Sequence, residues 1–299
     1  MEKSYYNEIR ELIIDNEIYQ KVKDYSKERN KVITYYKIGK LLNDAGKHYG
    51  DNIIGKYSEK LMNEVGKKYN ERTLRRIKQF YTMFEVQKWS QLATESLTWS
   101  HYQELLPLKD ANARDYYIKI SIEQYLSRND LRKRIKAKEY ERLSEDTKQK
   151  LIEKQETSVT DYIKNPIVIK NSLNYEHISE KALQNLILED IPSFLEELGE
   201  GFSFIRNEYK IKLGSTYNYI DLLLYNIKYK CYVVIELKVT ELKKEHIGQL
   251  RLYMNYIDKN IKDITDNKTI GLIISRKNNR YVIEYSTDSR ISFREYLIQ

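Results

Sequence analysis

The stretch "YIDLLLYNIKYKCYVVIELKV", residues 219–239, decides the fold. Two apolar runs flank a basic, polar turn, yet they carry Asp221, Glu236 and Lys238 at depths where burial should exclude charge. In an antiparallel hairpin, directly opposed residues have a constant sum of sequence numbers. Pairing Asp221 with Glu236 places the centre between Lys228 and Tyr229, inside "NIKYK". Without a bulge, the two carboxylates then sit across the strands on one face, with Cβ atoms about 5 Å apart. Glu236 and Lys238 are two apart, so the period of a strand puts them on that face as well. The pattern predicts three ionisable groups converging on a sheet otherwise built from Ile, Leu, Val and Tyr.

Two anionic carboxylates that close in a low dielectric repel, and must be protonated, paired or metal-bound. A divalent cation resolves the repulsion. Asp221 and Glu236, with the backbone carbonyl of Leu237, offer hard oxygen donors suited to Mg²⁺ or Mn²⁺, ions that keep waters and take up substrate phosphate. Lys238 beside such an ion could orient or deprotonate an attacking water, or stabilise charge growing on phosphate. The matching chemistry is metal-assisted phosphodiester hydrolysis. The competing explanation is a buried Asp/Glu–Lys ion pair with no metal, but such pairs are costly and seldom stabilising.

Composition narrows the rest. The chain has 299 residues, 41% hydrophobic, with 10 Gly and 3 Pro, enough to bury a real core in one large or two ordinary domains. No apolar run approaches the roughly 20 residues needed to cross a bilayer, and the first residues show no signal peptide. A cytoplasmic location is expected. The single cysteine, Cys231, allows no internal disulfide and no thiolate cluster for zinc. The net charge of +8 is uneven: Lys+Arg against Asp+Glu is 29 to 22 in residues 1–145 and 23 to 22 in residues 146–299. A basic half beside a neutral one suits an electrostatic grip on a polyanion joined to a separate working site. The 28 Tyr and many Lys, Ile and Asn also fit the codon habit of an AT-rich genome.

Residues 1–145 read as helices, with apolar residues three or four apart through "YYNEIRELIIDNEIYQKVKDYSKERNKVITYYKIGKLLNDA". In "NERTLRRIKQFYTMF", Asn70 is placed to cap a helix. That helix shows Arg72, Arg75, Arg76 and Lys78 outward, while Leu74, Ile77, Phe80 and Tyr81 face inward. A short basic helix can enter a major groove, or simply present a solvated face; "RNDLRKRIKAKEYERL" is similar. Residues 146–170 lose periodicity and read as a connector. From about residue 178 a helix through "ISEKALQNLILEDIPSFLEELG" is followed by strands "FSFIRNEYKIKL", "NYIDLLLYN" and "CYVVIELKV". Helix "KEHIGQLRLYMNYIDKN", strand "TIGLIISR" and a last strand near "YVIEYST" complete a mixed sheet flanked by helices, α+β overall.

Asp221, fourteen intervening residues and Glu236-Leu237-Lys238, followed by a helix carrying Gln249, resemble the PD-(D/E)XK nuclease core. "FLEELGEGFSFIRNEYKI", "YIDLLLYN", "CYVVIELK" and "IGQLRLYMNYID" are similar to the YhcG-type family, and "YYKIGKLL", "TLRRIKQFY" and "LTWSHYQELL" to its N-terminal domain. The resemblance spans roughly residues 20–295. It implies a restriction-endonuclease-like domain over 171–299 and a helical DNA-binding or assembly module over 1–145. Asp221 and Glu236 become metal ligands, Lys238 the catalytic lysine, and Gln249 a supporting glutamine, with Tyr253 one turn further on the same face towards nucleic acid. In the first core helix relatives tend to carry an acidic residue where "KALQNL" has Gln184, leaving Glu180 as the nearest substitute, and Glu189 and Glu197 as others.

The function expected is Mg²⁺-dependent cleavage of DNA by a prokaryotic endonuclease concerned with foreign DNA or with recombination and repair. The alternative is a DNA-binding or assembly protein whose nuclease fold is inactive or needs a partner. Pairs of strands imply a homo-oligomer, with a restriction or defence complex as a further partner. His101 reads as a hydrogen-bonded core histidine and His246 as a solvent-facing residue that could touch phosphate. Ser100 and His48 have no motif around them, and no nucleotide-binding or zinc spacing occurs.

Overall fold

The computed structural model describes residues 5–21, 26–50, 52–84, 97–286 and 288–299, and the chain divides into two units, Met1–Tyr140 and Glu141–Gln299. The first unit is helical: α1 (Tyr5–Lys21), α2 (Lys27–Tyr49), α3 (Ile53–Glu64), α4 (Glu71–Met83), α5 (Trp99–Leu105), α6 (Ala111–Glu123) and α7 (Arg128–Lys136). The junction of α1 and α2, residues 22–25, within the long periodic stretch, lies outside the described residues. Helix α4 begins where expected. The Asn70 side chain accepts the Thr73 N–H at 3.0 Å, satisfying a donor that the first turn leaves unpaired. Leu74, Ile77, Phe80 and Tyr81 are the buried face. Against them lies Gly39 of α2, where an added Cβ would come within 2.5 Å of the Ile77 carbonyl oxygen; only glycine permits that approach.

The second unit runs α8 (Glu145–Glu153), β1 (Ile167–Ile169), α9 (Glu180–Glu189), α10 (Ile191–Leu198), β2 (Phe202–Leu213), β3 (Thr216–Asn226), β4 (Cys231–Glu241), α11 (Lys244–Asn260), β5 (Ile270–Lys277), α12 (Arg280–Glu284) and β6 (Ile291–Ile298). The six strands form one sheet in the order β1-β6-β5-β4-β3-β2. Pairs β2/β3 and β3/β4 are antiparallel, and β4/β5, β5/β6 and β1/β6 are parallel. One face packs Leu222, Leu224, Val233, Ile235 and Leu237 on Leu183, Leu186, Phe194 and Leu198 of α9 and α10. The other packs Leu223, Val234 and Ile273 on Leu250, Met254 and Ile257 of α11. Strand β4 is therefore covered on both sides, which is why "CYVVIEL" is apolar without alternation.

Three details differ from the sequence reading. The helix drawn through residues 178–199 is two helices, because Asp190 turns the chain and its side chain accepts the Ser193 N–H, with Pro192 in the first turn of the second helix. Residues 281–286, where the last strand is expected, are not a strand: Asn279 caps a short helix there by accepting the Val282 N–H, and Tyr281 and Tyr285 are exposed. The last strand is Ile291–Ile298 instead. Residues 146–170 hold most of α8 and the edge strand β1, whose three residues pair with β6 more than 120 positions away, a partnership no local pattern announces. Among the described residues no helix is long and apolar enough to cross a membrane.

Candidate active site

The expected register holds. Leu222 pairs with Ile235, Leu223 with Val234 and Asn226 with Cys231, each with the sum that sets Asp221 opposite Glu236. The ladder stops one step short of them. Beyond Leu222, β3 stays on β2, while β4 continues on β5 in register to Lys238 and Ser275 and, after a shift, at Glu241 and Lys277, so the two strands part at the carboxylates. The Leu237 N–H donates to Asp221 Oδ2 at 2.8 Å, a side chain taking the place of a ladder carbonyl. Lys238 Nζ lies 2.9 Å from Glu236 Oε1 and 3.2 Å from Glu180 Oε2. Glu236 Oε2 is buried and has no hydrogen-bond partner among the described residues.

Such an orphaned oxygen is expensive, and the site's electrostatics follow from it. Burial, then the charge of Asp221, push the Glu236 carboxyl up to about 7, against the pull of Lys238. Burial also raises Asp221, although the Leu237 N–H and Lys238 oppose it. Burial works against the Lys238 ammonium, but Glu236, Glu180 and Asp221 outweigh it and raise its pKa. Between the ordinary 4.5 and about 7, the folded chain holds a proton on Glu236 that the unfolded chain has released. Stability from this source is full below the lower value and lost as pH rises through the upper one. Glu236→Gln is therefore expected to stabilise the metal-free protein at pH 8 by up to about 3 kcal/mol and to leave it unchanged at pH 4. Urea unfolding in chelator at the two pH values checks this; equal shifts at both would defeat it.

The residues present fit a hard divalent cation. Asp221 and Glu236 are oxygen donors with surplus negative charge, and one buried oxygen of Glu236 lacks a partner. Among the described residues no three His, Cys, Asp or Glu side chains form a metal-holding cluster, so the carboxylate pair would need backbone oxygen, water or phosphate to complete a shell.

Around the pair, helix α9 supplies supports that the sequence reading did not place. Buried Gln184 donates through Nε2 to the Asp221 carbonyl oxygen at 3.0 Å and accepts from Lys181 Nζ at 3.0 Å. Lys181 also reaches Glu208 Oε1 at 2.6 Å. The amide thus does not leave an empty acidic position; it ties α9 to the strand carrying Asp221. A buried amide one turn along the helix from Lys181 was the available signal. Glu180 sits at the site through Lys238. Glu197 does not: both its oxygens bind Arg142, at 2.6 and 2.8 Å. Glu189 is exposed at the end of α9.

On α11, exposed Gln249 donates to the Tyr253 hydroxyl at 2.8 Å. Tyr253 is 3% exposed, so the expectation that it faces nucleic acid gives way to one in which it props Gln249. His246 is half-buried and its Nδ1 accepts the Lys243 N–H at 3.1 Å; burial and the charge of Lys238 lower its pKa. In the first unit, His101 is a buried structural histidine, with Nδ1 near Thr98 Oγ1 at 2.8 Å and Nε2 near the Leu126 carbonyl at 3.0 Å. Arg72 and Arg75 are exposed and Arg76 and Lys78 partly so, with Arg75 bonded to Glu71 at 2.7 Å. The arginines of the second basic helix are held by carboxylates outside it: Arg128 and Arg132 bind Glu104, and Arg134 binds buried Glu139.

A mixed sheet with Asp, Glu and Lys where two strands part, flanked by helices on both faces, is the architecture of a PD-(D/E)XK nuclease domain. Residues 160–296 match the YhcG PDDEXK nuclease domain, and residues 9–142 match the DUF1016 N-terminal domain. The chain belongs to the YhcG-type family of PD-(D/E)XK nuclease-domain proteins. It is 24% identical over 283 residues to "Putative nuclease YhcG" of Escherichia coli (strain K12), covering 81% of this chain and 75% of that protein. Among solved structures, a repair endonuclease from Pyrococcus abyssi is similar at 22% identity over 41% of this chain and 48% of that one, with a TM-score of 0.30. The EndoMS-dsDNA2 complex is similar at 20% identity over 41% and 47%, with a TM-score of 0.31. The chain thus spans about half the length of these solved chains.

Proposed function

We propose that this protein is a Mg²⁺- or Mn²⁺-dependent DNA endonuclease, acting in the cytoplasm on foreign or recombining DNA. The observation that carries the reading is the orphaned, buried Glu236 oxygen beside Asp221, with Lys238 held within reach of the same carboxylate. Asp221, Glu236 and the Leu237 carbonyl would hold the cation, which supplies Lewis acidity and an acidified water when bound. The chain's own part is positional. Gln184 and the Leu237 N–H fix Asp221 from two sides. Lys238, kept charged by its carboxylate neighbours, serves as a fixed positive charge for the phosphate more readily than as a base. Gln249 donates to the Tyr253 hydroxyl, which feels the charges of Glu236, Asp221 and Lys238, and would orient water or phosphate.

Arg72, Arg75, Arg76 and Lys78 supply a basic helix for duplex phosphate in the first unit, and cutting both strands calls for a second copy of the chain or a partner complex. The test is incubation of supercoiled and linear DNA with each metal, for wild type and Asp221→Asn. Metal-dependent cutting lost in the variant supports the reading. A second reading, a DNA-binding module whose cleavage is absent or partner-dependent, is favoured by the lack of a three-carboxylate cluster among the described residues; binding without cutting in either protein would select it.

A further inference from the structure

The ribbon leading into the carboxylate pair has a face that the chemistry above does not use. Residues 209–220 belong to β2 and β3 paired only with each other, closed by the two-residue turn Gly214-Ser215 with Gly214 at φ +61°. Glycine first in such a turn lets the chain reverse without splaying the strands. The register sets Lys210 opposite Tyr219 and Lys212 opposite Tyr217, so these four share one face. The other face anchors the ribbon: Ile211 and Ile220 are 1% and 0% exposed in the core under α11, with Tyr209 and Leu213 packed beside them.

The outward face stands in water. Tyr217 and Tyr219 are 55% and 52% exposed, and Lys210 Nζ lies 3.9 Å from the centre of the Tyr217 ring. No Asp or Glu occurs between Tyr209 and Ile220, so nothing within the ribbon neutralises the lysines. The two tyrosines, two residues apart on one strand face, are about 7 Å apart, roughly twice the axial rise per nucleotide along one strand of a duplex. That leaves room for an unstacked base on each ring, with the lysines against the backbone. Aromatic rings interleaved with cations bind single strands, whose bases offer π-faces that a duplex keeps stacked.

We propose that Lys210, Lys212, Tyr217 and Tyr219 form a docking strip for unpaired nucleotides on the ribbon that ends at Asp221. The strip's service to that site rests on the nuclease reading; its binding does not, and the test separates them. The full chain carrying Asp221→Asn is titrated into a labelled oligothymidylate and a duplex of equal length, followed by fluorescence anisotropy. Tyr217→Ala with Tyr219→Ala is expected to weaken single-strand binding roughly 10-fold or more and duplex binding by less than about twofold, while the two Phe replacements restore it. Lys210→Gln with Lys212→Gln is expected to lower the salt slope by one to two. Single-strand binding indifferent to the tyrosines, or equal losses on duplex, would overturn the strip. Tyrosine-dependent binding in the variant, together with a wild-type chain that never cuts with Mg²⁺ or Mn²⁺, would sustain it and remove the nuclease reading instead.

Discussion

Lys238→Met is expected to reduce the single-turnover rate of metal-dependent DNA cleavage by about 10³-fold or more, with folding intact. A preorganised charge facing a group that becomes more negative in the transition state is typically worth 10²–10³ in rate. Lys238 has an added duty, since among the described residues its ammonium is the ion-pair partner of the Glu236 carboxylate, at 2.9 Å. Removing it leaves Glu236 with burial and Asp221 alone, both of which favour the protonated acid. The variant should therefore need a higher pH and more metal to reach its residual rate. Lys238→Arg keeps the charge but not the compact ammonium, and should fall between. Rates measured against pH and Mn²⁺ concentration decide it; a rate within tenfold of wild type at all pH values would remove Lys238 from the reaction.

The second large effect is on stability. Arg142 binds both oxygens of Glu197, donates to the Pro166 carbonyl at 3.0 Å, and Glu197 in turn accepts the Val168 N–H at 2.8 Å. The two side chains are only 13% and 14% exposed. Arg142→Leu strands a mostly buried carboxylate, which costs about 3–5 kcal/mol, and loosens the edge strand β1. A fall in the melting midpoint of roughly 10 °C follows for a unit of this size. The double variant Arg142→Leu/Glu197→Leu should recover a good part of the loss. Chemical denaturation of the three proteins checks it, and a loss below about 1 kcal/mol for the single variant would refute the account.

What the sequence made legible was whatever depends on local period. The constant sum across the hairpin located Asp221 and Glu236 opposite each other, and period 3.6 picked out Leu74, Ile77, Phe80 and Tyr81 because each pattern is imposed by one element. From the sequence Gln184 reads only as a missing acid, since its bond to the Asp221 carbonyl joins a helix to a strand 37 positions on. The same holds for Glu197, which could pass for a metal ligand until Arg142, 55 positions earlier, is seen to hold it. The helix face of Tyr253 follows from local period, but how deep that face lies is set by the sheet beneath it. The strip of Lys210, Lys212, Tyr217 and Tyr219 needed the register of β2 on β3, which the bare alternation of either strand does not supply.

The parting of β3 from β4 has a consequence for how this site can change. Asp221 Oδ2 stands in for the carbonyl that a continuous ladder would have offered to the Leu237 N–H, so under the proposed function one carboxylate serves both the backbone and the chemistry. Ordinary active-site acids can be traded for alanine with a gain in stability, because a repelling charge disappears. Here alanine would orphan a buried amide donor, and asparagine, which keeps an acceptor oxygen, is the only short replacement that spares it. Drift away from catalysis at this position is thereby steered toward asparagine, and a relative that has lost its activity but kept its fold should carry that residue more often than any other.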